Sequence, residues 1–491
     1  MKRALPAVVL LLMATAGARA AGGDGVADSL LQVIVTYQQY DPFAPWQKTR
    51  PGLRQGYGVV VAPGRVLTSE SLVRNQTMVE LRRATTGEKI PAALEMSDDQ
   101  VDLALLRVAD ERAAAAIPAL ALGTNVVPKH AKVTILQFDE TRGVQRGDAD
   151  VVQINMAELP NAPYAELTYS LLTDLTVNGV GAAVVQDSRL CGLIIGNNSG
   201  ERIGFMLPAP VLRRFLDDVA TPPYAGIPIA GFRWKTLVDP AQRAYLHVDH
   251  PGQGILVLSC IPGTGAANVL KPGDVIVQWG GFNVDNLGFY EDPTYGRLSL
   301  SYLIRDKGEP GKAVPVTLLR AGQQQSVQLE LATRNDRAAL LPENVGEERA
   351  EYLVEGGLVI RELDGFYLRA RGGDWKSKTD ARITNLYLTR RDNPERPGDR
   401  LVVLASVQPD PINIGYQEFN DQIIEKVNGK PVRNIADVFR IKDEDGHVVR
   451  LSLRSVGVDL VLDRTELDVA NRRIAATYRI PELEYRKKAA Q

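Results

Sequence analysis

A chain of 491 residues, 45% of them apolar and 24% charged, is long enough for roughly three folded domains. A formal net charge of -2 gives no electrostatic reason to expect nucleic acid or an anionic membrane as a partner, and two cysteines are too few for a disulfide scaffold. Glycine (43) and proline (29) against only 6% aromatics favour many turns and short strands over long helices.

Residues 1–20 carry the pattern of a cleaved export signal: Lys2 and Arg3, an apolar run over 4–17, then Ala18 and Ala20 at the small-residue positions that signal peptidase reads. The run is short for a bilayer span, Gly22-Gly23-Asp24-Gly25 follows at once, and no cysteine marks a lipidation point. The mature chain is therefore expected to be exported (periplasmic or extracellular), with no stable membrane anchor. From 29 to 207 short β-type runs follow one another at 31–37, 58–62, 78–81, 102–108, 132–138, 151–155, 182–186, 190–195 and 202–207, which predicts β-barrels or a sandwich. Cys191, inside one of these runs, reads as a small apolar core residue. A helix is predicted after Pro208, with Val211, Leu212, Phe215, Leu216 and Val219 on one face, ending at Thr221-Pro222-Pro223.

Two later stretches, 270–282 and 419–432, resemble each other: a polar turn with aspartate, an apolar strand, a glycine turn, a second apolar segment. They predict a repeated module, with residues 333–349, charged and without strand pattern, as the linker. Thr465-Glu466-Leu467-Asp468 reads as a capping-box start for a helix carrying Leu467, Ile474 and Tyr478. The basic tail 483–491 reads as a frayed end.

Several of these segments resemble the Deg/HtrA serine proteases. Gly56-Tyr-Gly-Val-Val-Val-Ala-Pro-Gly-Arg-Val-Leu-Thr68 is similar to the family's "G-S-G-V-I" strand and the following "I-L-T". Val101-Asp-Leu-Ala-Leu-Leu-Arg-Val108 resembles "D-L-A-V-L-K-V", and Ile203-Gly-Phe-Met-Leu-Pro208 resembles "I-G-F-A-I-P". Gly273-Asp-Val-Ile276 fits a PDZ domain, and Ile229-Ala-Gly-Phe232 its carboxylate-binding loop. Leu401-Val-Val-Leu-Ala-Ser-Val407, Ile412-Asn-Ile-Gly-Tyr416 and Lys426-Val-Asn-Gly-Lys430 are similar to the atypical second PDZ domain of the plant-type members. The resemblance implies a mostly β chain: a double-barrel trypsin-like domain (21–222), a PDZ domain (226–332), the linker, and a PDZ-like α+β domain (350–482). It also implies homo-oligomers, trimers or multiples of them. The aromatics between Tyr37 and Trp46 could supply contacts between copies or cover their own barrel.

The family's chemistry needs a serine nucleophile, a histidine base and an aspartate that orients it. At the histidine position this chain has Ser71, which is no base at neutral pH. Asp102 fills the aspartate position, but with no imidazole to orient it reads as a strand-end acid satisfied locally. The family's "G-N-S-G-G-P-L" falls on Asn178-Gly-Val-Gly-Ala-Ala-Val184, which puts Val180 where the serine belongs. Gly196-Asn-Asn-Ser-Gly200 mimics the nucleophile motif out of register, and Ser199 reads as a turn residue. The remaining histidines, His130, His247, His250 and His447, belong to other segments, and His247 and His250 lack a third ligand for a metal. No catalytic residue set, metal or cofactor is expected.

Two functions remain open. One is a pseudoprotease scaffold, chaperone or regulator binding unfolded or C-terminal peptides of other proteins. The ligand would pair with the strand near 254–258, placing Ile255 and Val257 beside it, with its carboxylate held by Ala230, Gly231 and Phe232. Phe232 could instead be plain core. The other is a serine endopeptidase with a non-standard site using Ser199, Ser71 or a partner's residue.

Overall fold

The computed structural model describes residues 25–139, 143–159, 162, 164–344, 348–442, 444, 446–454 and 456–487. The expected export signal, residues 1–20, lies outside them. Two closed six-stranded antiparallel barrels come first, the first running from Leu30–Tyr37 to Leu103–Val108, the second from Lys132–Asp139 to Ile203–Pro208. Numbered within each barrel, both close in the order 1-2-3-6-5-4, so the second repeats the topology of the first.

Strand alternation explains how the barrels join. Val60, Val66, Ala104 and Leu106 fill the first barrel, while their neighbours Val59, Leu67, Leu103 and Leu105 belong to a second core continuous with Leu136, Leu193 and Ile194 of the other barrel. Strands buried on both faces carry apolar residues at consecutive positions. The predicted helix is present as Ala209–Val219, burying Val211, Leu212 and Phe215.

The two repeated modules share one strand order. In the first, Phe232–Lys235, Ile255–Cys260, Val275–Trp279, Ala313–Arg320 and Gln323–Glu330 lie side by side in that order. In the second, Leu358–Glu362, Val402–Val407, Gln422–Val427, Val448–Leu453 and Asp459–Asp463 do the same. The repeat read at 270–282 and 419–432 falls on the middle strand of each sheet and the short strand after it, Phe282–Asn283 and Lys430–Pro431.

Several expectations need correction. Residues 333–349 are not a bare linker: Leu340 and Leu341 enter the second module's core, and Glu343 is buried among arginines. The tail is not frayed over its described part, because Glu484–Tyr485 pairs with Tyr352–Glu355, Arg486 lies 4.4 Å from the Phe439 ring, and Lys487 reaches Glu348 at 2.6 Å. The last helix starts two residues earlier than the Thr465 cap implies, at Arg464–Tyr478, capped by Asp463 whose carboxylate accepts the Thr465 N–H.

The aromatics between Tyr37 and Trp46 divide between two domains. Tyr37 and Tyr40 stay on the first barrel under Arg54 and Lys48. Phe43 and Trp46 leave it and enter the second module, with ring centroids 5.0 Å from Tyr367 and 6.0 Å from Tyr352. The Asp41 carboxylate holds the turn that aims them, accepting the Phe43 and Ala44 N–H groups. Arg361, itself 1% exposed, donates to the Pro42 carbonyl at 3.0 Å, and Ser406 donates to that of Phe43 at 3.3 Å.

Candidate functional site

The interbarrel cleft brings two of the three expected positions into direct contact. Asp102 precedes the strand Leu103–Val108 with a left-handed φ of 51° and is fully buried. Its carboxylate accepts the Ser71 N–H at 2.7 Å through Oδ1 and the Ser71 hydroxyl at 3.2 Å through Oδ2, and the Ser71 hydroxyl lies 2.8 Å from that of Ser69. Burial raises the Asp102 carboxyl above its ordinary range, against the lowering effect of the Ser71 and Ser69 hydrogen bonds.

An acid whose pKa is raised by folding costs stability above that pKa, because the folded state then holds a charge that the unfolded state solvates better. Asp102→Asn keeps an acceptor for the Ser71 N–H and supplies donors for the hydroxyls. The variant is expected to melt about 2–4 °C higher at pH 8. That gain should shrink as the pH falls through the raised carboxyl pKa, where the wild-type group takes up its proton. A lower midpoint for the variant at pH 8 would mean that the charge is well compensated.

Val180 stands on the opposite wall. Its carbonyl accepts the Tyr57 N–H at 2.9 Å, and its side chain packs on the first barrel's core. The turn depends on Gly181, at φ 81°, where a Cβ would lie 1.9 Å from the Tyr57 carbonyl oxygen. Sequence reasoning did not identify two residues that fill this cleft. Tyr57, 4% exposed, lays its ring against Gly179 and places its hydroxyl 2.6 Å from the Phe138 carbonyl and 2.7 Å from Asn178 Oδ1. Gln137 Oε1 accepts the Asn178 N–H at 3.2 Å. That N–H, two residues before the nucleophile position, is one of the two donors this fold offers to an oxyanion. The available signal was Tyr57 itself, standing where the motif has serine.

Ser199 sits at the exposed tip of the Arg189–Asn198 and Ile203–Pro208 hairpin, as a turn residue. His130 precedes the strand Lys132–Asp139, His247 and His250 follow the helix Pro240–Tyr245, and His447 precedes Val448–Leu453. Among the described residues no group of His, Cys, Asp and Glu could hold a metal, and no helix is long and apolar enough to cross a membrane.

The second candidate site is the loop Ala230-Gly231 and the strand after it. Gly231 has φ 72° and turns its carbonyl inward, to the Ile261 N–H at 2.7 Å and the Thr264 hydroxyl at 3.2 Å; a Cβ there would lie 2.8 Å from Thr264 Oγ1. The strand position first assigned to the ligand is corrected by the sheet order. Ile255 and Val257, 0% and 1% exposed, lie on a strand paired on both edges and cannot accept another. The sheet ends in Gln323–Glu330 on one side and Phe232–Lys235 on the other; the strand that leaves the Ala230-Gly231 loop is Phe232–Lys235, and among the described residues no strand pairs with its outer edge. Phe232 is 5% exposed, with its ring 6.0 Å from Trp279, so it belongs to the core that floors the groove.

In the second module the equivalent edge is already taken. Gly357 repeats the Gly231 geometry, its carbonyl accepting the Gln408 N–H at 2.7 Å, but Gly356 and Gly357 turn the chain so that Tyr352–Glu355 pairs with Leu358–Glu362. Among the described residues, this edge is left unpaired in the first module alone. Beside it a cavity of about 560 Å³ opens between the free strand and the helix Leu300–Arg305, lined also by Leu159 and Tyr164 of the second barrel and Trp375, Leu388 and Thr389 of the second module. Tyr164 lies between two guanidinium groups, 4.9 Å from Arg305 and 5.0 Å from Arg391, and burial pushes its hydroxyl up to about 12.

Residues 56–193 match the trypsin-like peptidase domain, and residues 341–484 the PDZ domain. The chain is 28% identical over 432 residues to "Protease Do-like 2, chloroplastic" of Arabidopsis thaliana, covering 85% of this chain and 68% of that protein. To "Protease Do-like 4, mitochondrial" of the same plant it is 22% identical, with 93% and 85% covered. Among solved structures, "HtrA-type protease AlgW with decapeptide" superposes with a TM-score of 0.49 at 19% identity, over 64% of this chain and 97% of that one. The serine endoprotease from Yersinia pestis gives 0.43 at 20%, over 64% and 99%. A trypsin-like peptidase domain followed by a PDZ domain, aligned with Do-like proteases over most of its length, assigns the chain to one family: it belongs to the Deg/HtrA proteases.

Proposed function

We propose that this Deg/HtrA chain is a non-hydrolysing member that works by binding peptides, as a scaffold, chaperone or regulator. The observation that carries the reading is the Ser71–Asp102 contact opposite Val180: the aspartate spends its carboxylate on a serine, and the facing side chain has no nucleophilic atom. Tyr57 and Gln137 support it by filling the cleft and satisfying the Asn178 N–H. The free edge of the first module supports peptide binding by strand addition, with the terminal carboxylate at Ala230, Gly231 and Phe232. Export follows from the basic, apolar and small-residue order of the first twenty positions, and assembly into trimers or their multiples from the family. The N-terminal residue of the mature chain reads the first, light scattering the second.

Purified protein is expected to leave casein and unstructured peptides uncut. Turnover that Asp102→Ala abolishes would overturn the reading. The double variant Ser71→His with Val180→Ser is expected to stay well below the 10³–10⁴-fold acceleration over water that binding and an oxyanion hole alone give. The reason is that the Asn178 N–H remains tied to Gln137.

A further inference from the structure

The cavity beside the free strand contains one charge that no carboxylate answers. Six cationic side chains and four carboxylates line it, and each carboxylate is engaged. Arg334 holds Asp99 through two bonds of 2.9 Å, Arg369 and Arg391 hold Glu343, Arg391 also meets Asp392 at 3.1 Å, and Lys376 stands 3.9 Å from Glu158. Arg233 differs. Among the described residues its guanidinium meets no carboxylate, and it donates to the carbonyl of Thr389 in the last turn of the helix Ala381–Arg390. A neutral carbonyl leaves most of a guanidinium's five donors and all of its charge available.

Its position gives this charge a direction. Arg233 is the second residue of the free strand, and side chains alternate between faces. Phe232 points into the core, so Arg233 points away from it. A peptide pairing antiparallel to this strand, with its carboxylate at Ala230, Gly231 and Phe232, sets its last side chain on the Phe232 face and the one before it on the Arg233 face. We propose that Arg233 makes the groove selective for C-terminal peptides with an acidic residue at the penultimate position. The selectivity rests on the groove being a peptide site. The ligand carboxylate takes the guanidinium in a two-bond fork, which the Thr389 carbonyl cannot form.

Fluorescence anisotropy on the full chain tests this, using labelled ten-residue peptides that differ only in ending Glu-Val, Gln-Val or Lys-Val. At 0.15 M salt the Glu peptide is expected to bind about tenfold tighter than the Gln peptide. Arg233→Met should level the two, and Arg233→Glu should favour Lys. Equal affinities for Glu and Gln in the wild type, or a Glu preference that survives Arg233→Met, would overturn the selectivity. If all three peptides bind alike and C-terminal amidation abolishes binding, the groove stands and only the role of Arg233 falls. If none binds, the peptide site and the selectivity fall together.

Discussion

Glu343→Ala is expected to cost about 3–5 kcal/mol, the range for removing one partner of a buried ion pair. The side chain is 3% exposed and holds three groups: Arg369 at 2.5 Å, Arg391 at 2.6 Å and the Tyr387 hydroxyl at 2.5 Å. Alanine would leave two guanidinium groups facing each other across an empty site. Burial alone would raise the Glu343 carboxyl, but Arg369 and Arg391 outweigh it and hold the group below its usual range. An acid with a lowered folded pKa adds stability above its unfolded value, near pH 4, and loses it as the pH falls through the folded one. The gap between wild type and Glu343→Gln should therefore be widest near neutrality and narrow below about pH 4. Trp375, edge-on to Tyr387 at 5.0 Å, reports urea unfolding at this place. A Glu343→Ala loss under 1 kcal/mol, with no pH dependence, would show that the arginines find other partners.

The same cluster shows where sequence reasoning stops. Charge in residues 333–349 reads as solvated, because a sequence cannot show that Arg369 and Arg391, 26 and 48 positions on, converge on Glu343. Local signals did better. The helix after Pro208 and the repeated modules rest on spacing within a few residues, whereas the places of Ser71, Asp102 and Val180 rest on the resemblance to the family's motifs. Besides the short Arg65–Thr68, which only the family motif marks, the apolar runs miss two longer barrel strands, Lys89–Asp98 and Ala165–Thr173. Lys89–Asp98 carries Pro91 and charges and is only half buried, and Ala165–Thr173 is buried at consecutive positions, so neither alternates cleanly.

The misplaced ligand strand has a similar cause. Ile255-Leu-Val-Leu258 looks like a binding strand because it is apolar, yet it is apolar because both its edges and one face are covered. The strand that can accept a partner carries Arg233, Trp234 and Lys235, since an unpaired edge must tolerate water. Which edge is free follows from sheet order, set by long-range pairing that no local pattern records. The second module makes the same point in reverse, covering its corresponding edge with its own Tyr352–Glu355.

Trp46→Ala is the second large effect, expected to cost about 3–5 kcal/mol by opening a cavity in the second module's core. Trp46 belongs by sequence to the first barrel, so its loss should also change how the protein unfolds. With Trp46 and Phe43 seated, the second module is tied to the barrel by core packing and by Arg361 on the Pro42 carbonyl. Without them the tie weakens, and calorimetry should resolve a module transition below that of the barrels. Trp46→Phe separates packing from polarity. The indole Nε1 is buried with no acceptor among the described residues, so phenylalanine removes an unpaired donor while keeping most of the ring, and a loss under about 1.5 kcal/mol is expected. The loosened module should also lift Thr389 from Arg233, so peptides ending in Glu-Val should associate faster with Trp46→Ala than with wild type. A single unchanged transition in Trp46→Ala, with unchanged association, would mean that the aromatic strap rests on the second module without holding it.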